Sequence, residues 1–167
     1  MICRSRRVVP VATTAALGLF ALSTALAAAA GDSAKGKLTV ETESKPASVE
    51  LAHAYLVTGP ESYGSTKIVR RIVFTVADER STIEACTDAS CAKLSTRDGM
   101  TLDLGEGSTV DWWVHVHSTQ YSGTLPASAF KLSTDTPERV AGTFDLGSQG
   151  AMGVIVFDAP FVRAFTQ

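Results

Sequence analysis

Histidine and cysteine are scarce in this 167-residue chain, with three of each, and there is no excess of positive charge. Lysine and arginine number 15 against 17 aspartates and glutamates. Arg4, Arg6 and Arg7 sit in the N-terminal segment, so the remainder carries 12 basic and 17 acidic residues, near −5. Nucleic acids and anionic membranes are gripped by clustered Lys and Arg. No such cluster occurs, which excludes both as expected partners. Catalytic signatures are missing too. There is no Gly-x-Ser-x-Gly nucleophile elbow, and Gly105-x-Gly107 and Gly147-x-x-Gly150 do not lead into a helix whose N-terminus would hold a phosphate. Helical periodicity, internal repeats and linkers are likewise lacking, which leaves one domain of ordinary size.

What is present begins with an export signal. Arg4-Ser5-Arg6-Arg7 precedes an apolar run from Val8 to Leu26, and small residues follow from Ala25 to Ala30. That is the three-part anatomy of a cleavable signal peptide over residues 1–30, with cleavage after Ala27 or, as favoured here, after Ala30. An uncleaved anchor is the alternative, but Pro10, Thr13, Thr14 and the alanines weaken it. The paired arginines also partly fit a twin-arginine signal, against the general secretory route. Residues 31–167 then form the exported domain, periplasmic or secreted, with no membrane span after cleavage. Two cysteines remain in it, Cys86 and Cys91, and an even count in an exported chain implies a disulfide. A redox pair fits less well, because the two-residue spacing of thioredoxin-like motifs is absent. A structural zinc site would need a second cysteine pair.

Along residues 31–167 apolar and polar residues alternate with period two, punctuated by Gly, Pro, Asp and Ser about every ten residues. Strands are expected at Lys37 to Thr42, Ser48 to Val57, Lys67 to Val76, Met100 to Leu104, Thr109 to Ser118, Ala129 to Ser133, Arg139 to Asp145 and Met152 to Asp158. Turns are expected at Thr58-Gly59-Pro60, Gly105-Glu106-Gly107, Asp135-Thr136-Pro137 and Gly147-Ser148-Gln149-Gly150. Ser81-Thr82-Ile83-Glu84 fits a capping box, which predicts one short helix running toward the cysteine loop. The expected fold is all-β, a single sandwich of immunoglobulin-like character, with a closed barrel as the alternative.

Candidate site residues come from the run Thr109 to Ser118. Side chains two apart on a strand share a face, so Val110, Trp112, Val114 and Val116 form an apolar set. Asp111, Trp113, His115 and His117 form the other, with Tyr121 continuing it. An exposed Trp flanked by imidazoles suits recognition of a glycan, a peptide or an envelope protein. His-x-His is also a metal-ligand spacing, since the two Cα atoms lie roughly 7 Å apart on a strand. His115 and His117, completed by Asp111, would then hold zinc or copper. The third histidine, His53, shares a face with Val49, Leu51, Tyr55 and Val57 in the expected strand. That face reads as core, which would separate His53 from the pair. Arg70 and Arg71 interrupt an apolar strand and read as guards on a sheet edge.

His-Val-His on a strand resembles the copper/zinc superoxide dismutases, but that family needs about six histidine ligands and a glycine-rich arginine motif that cannot be placed here. Thr82-Ile83-Glu84-Ala85-Cys86, Gly99-Met100-Thr101, Tyr121-Ser122-Gly123, Thr136-Pro137-Glu138-Arg139-Val140-Ala141-Gly142 and Val156-Phe157-Asp158-Ala159-Pro160 resemble motifs of small exported proteobacterial β-rich proteins with no assigned activity. That resemblance implies an exported β-protein and transfers no catalytic residue. The function expected is a non-enzymatic binding or envelope-interaction module without a cofactor. The alternative is a metal-binding protein or metalloenzyme built on His115 and His117.

Overall fold

The period-two pattern becomes eleven strands in the computed structural model, which describes residues 32–43, 45–62, 64–94, 98–105, 108–147 and 150–166. The strands are β1 (Ala34–Val40), β2 (Ala47–Leu51), β3 (His53–Pro60), β4 (Ile68–Thr75), β5 (Gly99–Leu104) and β6 (Thr109–Val116). They continue as β7 (Thr119–Pro126), β8 (Phe130–Thr136), β9 (Arg139–Asp145), β10 (Ala151–Met152) and β11 (Val154–Ala164). Two short helices, α1 (Arg80–Ala85) and α2 (Ala89–Leu94), separate β4 from β5. The domain is thus mostly β, and its sheet curls into a half-barrel. The expected signal segment and the expected glycine turn at Glu106 and Gly107 lie outside the described residues, as do Ser148 and Gln149 of the other expected glycine turn.

Antiparallel pairing runs β3-β4-β5-β6-β7 as a meander. β11 joins the two ends of the chain: its first part pairs antiparallel with β9, and after an irregularity near Phe161 its last part runs parallel to β3. β1 pairs with β11 at Ala34 and Lys35, then with β2 and β10. Where β1 leaves β11, a Cβ on Gly36 would meet the Val154 carbonyl oxygen at 2.5 Å, so only glycine allows that approach.

The main core lies inside the curl. Leu56, Ile72, Phe74, Met100, Leu102, Trp112 and Val114 of the meander face Leu38, Phe144, Ile155 and Phe157 of the other strands. Phe74 and Phe157 meet edge to face at 5.4 Å, a favoured aromatic geometry. Trp112 lies flat over Gly123 on β7, where an added Cβ would fall 2.9 Å from the indole. A second, smaller core forms on the outside of β3 and β4, where Ile83, Cys86, Ala89 and Ala92 pack on Tyr55, Val57, Val73 and Phe165. Cys86 and Cys91 are bonded and fasten α1 to α2.

Several expectations are corrected. The strand expected from Ser48 to Val57 breaks at Ala52, whose N–H and C=O bond to Thr75 and Ala34. One unladdered residue reverses which side chains face inward. Leu51 is buried before the break and Ala54 and Leu56 after it, so His53 and Tyr55 face outward. Gly59-Pro60 continues β3 and makes no turn. Arg70 and Arg71 stand on a strand paired on both sides, so they guard no edge. Ser81 lies inside α1, whose first residue is preceded by Glu79 without a side-chain cap. Asp78 takes the cap's place by accepting the Arg80 N–H at 3.0 Å, and the Tyr55 hydroxyl donates to the same carboxylate at 2.7 Å. Burial, then the bond to Asp78, pushes the Tyr55 pKa up to about 12.

Candidate functional site

Register places the outer face of the meander in three cross-strand rows. The first is Val57, Arg71, Asp103, Asp111 and Thr124, and the second Tyr55, Val73, Thr101, Trp113 and Ser122. The third is His53, Thr75, Gly99, His115 and Gln120. His53 therefore shares a face with His115, the reverse of the expected separation. Three strand spacings still divide them, roughly 14 Å, too far to share an ion.

In the first row Arg71, only 1% exposed, grips Asp103 with two hydrogen bonds, Nε to Oδ1 at 2.5 Å and Nη2 to Oδ2 at 2.7 Å. Its remaining donors reach the Ala89 carbonyl at 2.8 Å and the Glu61 carbonyl at 3.2 Å. The guanidinium thus nails the start of α2 and the loop after β3 to the sheet. Arg70, on the opposite side of β4, donates to Asp135 at 2.6 Å and to the Thr136 carbonyl at 2.6 Å. Next to Asp103, Asp111 accepts from the Thr124 hydroxyl at 2.7 Å.

Trp113 is half-buried, and Lys93 at the end of α2 places its Nζ 3.1 Å from the indole centroid, a cation–π contact. The indole is consequently not the open apolar platform that alternation suggested. Burial, then the neighbouring Arg71 charge, lowers the Lys93 pKa. Burial, then Lys93, lowers that of His115.

His117 leaves the strand. It and Ser118 form the two-residue connection from β6 to β7, with φ of 48° and 71°. Positive φ at both central residues defines the type I′ hairpin turn, which is favoured because its twist suits the flanking strands and which normally takes Asn-Gly. Serine is seldom found there, and histidine, although it enters that region more often than most residues, still fits it less well than asparagine or glycine. The His117 N–H donates to Asp98 at 2.7 Å, while its side chain is exposed. The turn puts Tyr121 opposite Val114, so Tyr121 faces the core side and not the side of Trp113 and His115.

His117 and Tyr121 instead line a cleft of about 910 Å³ with Ser118 and Thr119 on one wall and Thr42, Glu43, Lys45 and Ser48 on the other. The far wall is braced locally, since the Thr42 hydroxyl donates to the Lys45 carbonyl at 2.5 Å. The two walls are tied by the Tyr121 hydroxyl, which donates to the Glu41 carbonyl at 2.6 Å.

The four expected binding residues are thus split, Trp113 and His115 beside α2 and His117 and Tyr121 at the cleft. The expected ligand set of His115, His117 and Asp111 does not assemble. Among the described residues no three His, Cys, Asp or Glu side chains converge as a metal site would require. Lys93, Ser118 and the cleft residues Thr42, Glu43 and Lys45 are not among the residues the sequence pattern singles out. A dipeptide between two alternating runs was the available signal for the turn, but His-Ser does not advertise it as Asn-Gly would. No family model, curated protein or solved structure matches this chain.

Proposed function

We propose that the chain is an exported, non-enzymatic recognition module that binds a hydroxyl-rich envelope glycan in the cleft between the His117-Ser118 turn and the wall formed by Thr42, Glu43, Lys45 and Ser48. The observation that carries this reading is the turn itself. Two consecutive non-glycine residues at positive φ cost of order 1 kcal/mol each, and Asn-Gly would relieve most of it. Strain kept at the rim of a cleft, on residues with an exposed imidazole and a hydroxyl, is what a site retained for binding would show. The lining is rich in hydroxyls, with one ammonium and one carboxylate, which suits the dense hydroxyl pattern of a sugar better than an apolar or highly charged ligand. Export rests on the tripartite N-terminus and is supported by the disulfide. The finer reading of the curled sheet as an immunoglobulin-like sandwich is supported by the two sets of strands enclosing Trp112 and Phe144, and kinship with small exported proteobacterial proteins by the motifs quoted above.

Replacing His117→Asn and Ser118→Gly together tests the reading. The melting temperature should rise by about 3–8 °C, while calorimetric binding of soluble envelope glycan fragments should weaken at least tenfold. A raised melting temperature with unchanged glycan binding, or no binding by the native protein, would overturn it.

A further inference from the structure

At the other end of β6 from the cleft, the inside of the curl is left partly unfilled. The inner face of the meander ends there in the row Arg70, Leu104 and Val110, and Ile68 lies two residues before Arg70 on the same side of β4. Across from them stand Phe130 and Leu132 of β8, which register sets beside Phe144 and Gly142 of β9. Ile72 is fully buried, whereas Ile68 is 60% exposed and Leu132 40%. Between these walls opens a cavity of about 610 Å³. Its size, and its place in the mouth of a curled sheet, suit one small molecule. A single ion pair crosses it. β4 and β8 do not pair with each other, but the slip in register after Leu132 sets Asp135 opposite the buried Val140 and so turns it inward. Arg70 donates to that carboxylate from Nη1 at 2.6 Å and to the Thr136 carbonyl from Nη2 at 2.6 Å. Its third nitrogen, Nε, is closed off from solvent and has no acceptor among the described residues.

We propose that this cavity is a binding site for an uncharged, single-chain acyl compound, its chain lying between Ile68, Leu104 and Val110 on one wall and Phe130 and Leu132 on the other, and its carbonyl oxygen beside Arg70. The lining selects each part of that ligand. Five apolar side chains converge where a folded chain would ordinarily bury them, and covering them with hydrocarbon removes that surface from water. The head is selected by charge. Arg70 and Asp135 already balance one another, so a cation would meet the guanidinium and an anion would meet the Asp135 carboxylate. A neutral head avoids both. A shielded donor without an acceptor is costly, and an occupant that brings a carbonyl oxygen to Nε recovers that cost. A sugar would offer oxygens too, but it would set its hydroxyls against the apolar walls, where they find no partners. The cleft at the His117-Ser118 turn shares no residue with this cavity, so the two sites stand or fall separately.

Calorimetric titration of the exported chain with methyl octanoate, compared with ionised octanoate at about pH 7.5, tests the assignment. The native protein should bind one equivalent of the ester and should bind octanoate about tenfold more weakly. Asp135→Asn removes the opposing carboxylate, so octanoate should gain about tenfold in affinity. Arg70→Lys keeps a positive charge facing Asp135 but has no Nε, and should weaken the ester about tenfold. Ala127→Trp, on an exposed side chain at the rim, should fill the cavity and abolish binding with an unchanged melting temperature. His117→Asn with Ser118→Gly should bind the ester as the native chain does. No ester binding by the native protein up to the solubility limit, octanoate bound as tightly as the ester, or no gain for octanoate in Asp135→Asn would each overturn the proposal. So would full ester affinity in Arg70→Lys or Ala127→Trp, or loss of ester binding in the His117 and Ser118 double variant.

Discussion

The two faces of the β3 to β7 meander are made by the same five strands yet are stabilised in different ways. Inward, Leu56, Ile72, Phe74, Met100, Leu102 and Trp112 are all but inaccessible and need only shape and apolarity. Outward, Tyr55, Val57 and Val73 pack under α1 and α2, the buried Arg71–Asp103 pair binds the start of α2, Lys93 of α2 reaches over Trp113, and Asp111 and His115 flank that ring on β6. Helices of six residues are too short to persist on their own, so the cover depends on what fastens it. Those fasteners are a buried ion pair, a disulfide and a cation–π contact. The inner face therefore sets the stability of the fold, and the outer face sets whether the helical cover stays on.

The sharpest way to break that contrast is at Arg71. Its charge is buried and every partner is specific, so Arg71→Ala would leave the Asp103 carboxylate buried and unpaired. We expect a loss of about 3–5 kcal/mol, measured by urea unfolding. The pair itself is different from the loss of one member: Arg71→Met with Asp103→Leu should be near neutral or stabilising by roughly 1–4 kcal/mol. If single and double variants fall equally, the ion pair is not what positions α2, and the outer face resembles the inner one more closely than argued.

The inner face was also the legible one. Val110, Trp112, Val114 and Val116 were foreseen as one set from alternation alone, and all four are buried. β9 spans the expected Arg139 to Asp145, because a Pro-containing turn and a Gly-bearing apolar run bound it. β7 went unrecognised, since Gln, Ser, Gly and Thr carry weak strand preference apart from threonine and the preceding His-Ser hides its turn. His53 was placed on the wrong face because nothing local marks Ala52 as the residue that drops out of the ladder. Its break is enforced from afar, by bonds to Ala34 and Thr75. The outer site depended on tertiary facts of this sort. Lys93 meets Trp113 through the path of α2, which no spacing along the chain encodes.

A smaller effect sharpens the comparison at the disulfide. Cys86 and Cys91 are five positions apart, and closing so short a loop stabilises by only about 2 kcal/mol. Cys86→Ser with Cys91→Ser should lower stability by that amount. Its local signature matters more: amide hydrogen exchange should quicken in α1 and α2 while β4, β5 and β6 keep their protection. Uniform acceleration across the meander would mean that cover and sheet unfold as one unit, and the distinction between the faces would fail as a statement about stability.

The smallest expected effect is the response of the outer face to acid through His115. Burial, then the adjacent Lys93 charge, holds its pKa below the ordinary imidazole value. The folded state therefore resists a proton that the unfolded chain accepts from about pH 6.5 downward. By linkage the stabilising contribution is fully present above that value and is lost as pH falls through it toward the depressed folded pKa. The inner face contains no histidine and should not respond in this window. A melting temperature measured at about pH 7.5 and about pH 5.5 should drop on acidification, and His115→Gln should reduce the drop. Lys93→Met should also reduce it, because removing the second positive charge lets His115 take its proton at less expense. Acid loss of stability that is identical in the native chain and both variants would show that His115 is not its source and would leave His115 and Lys93 electrostatically independent.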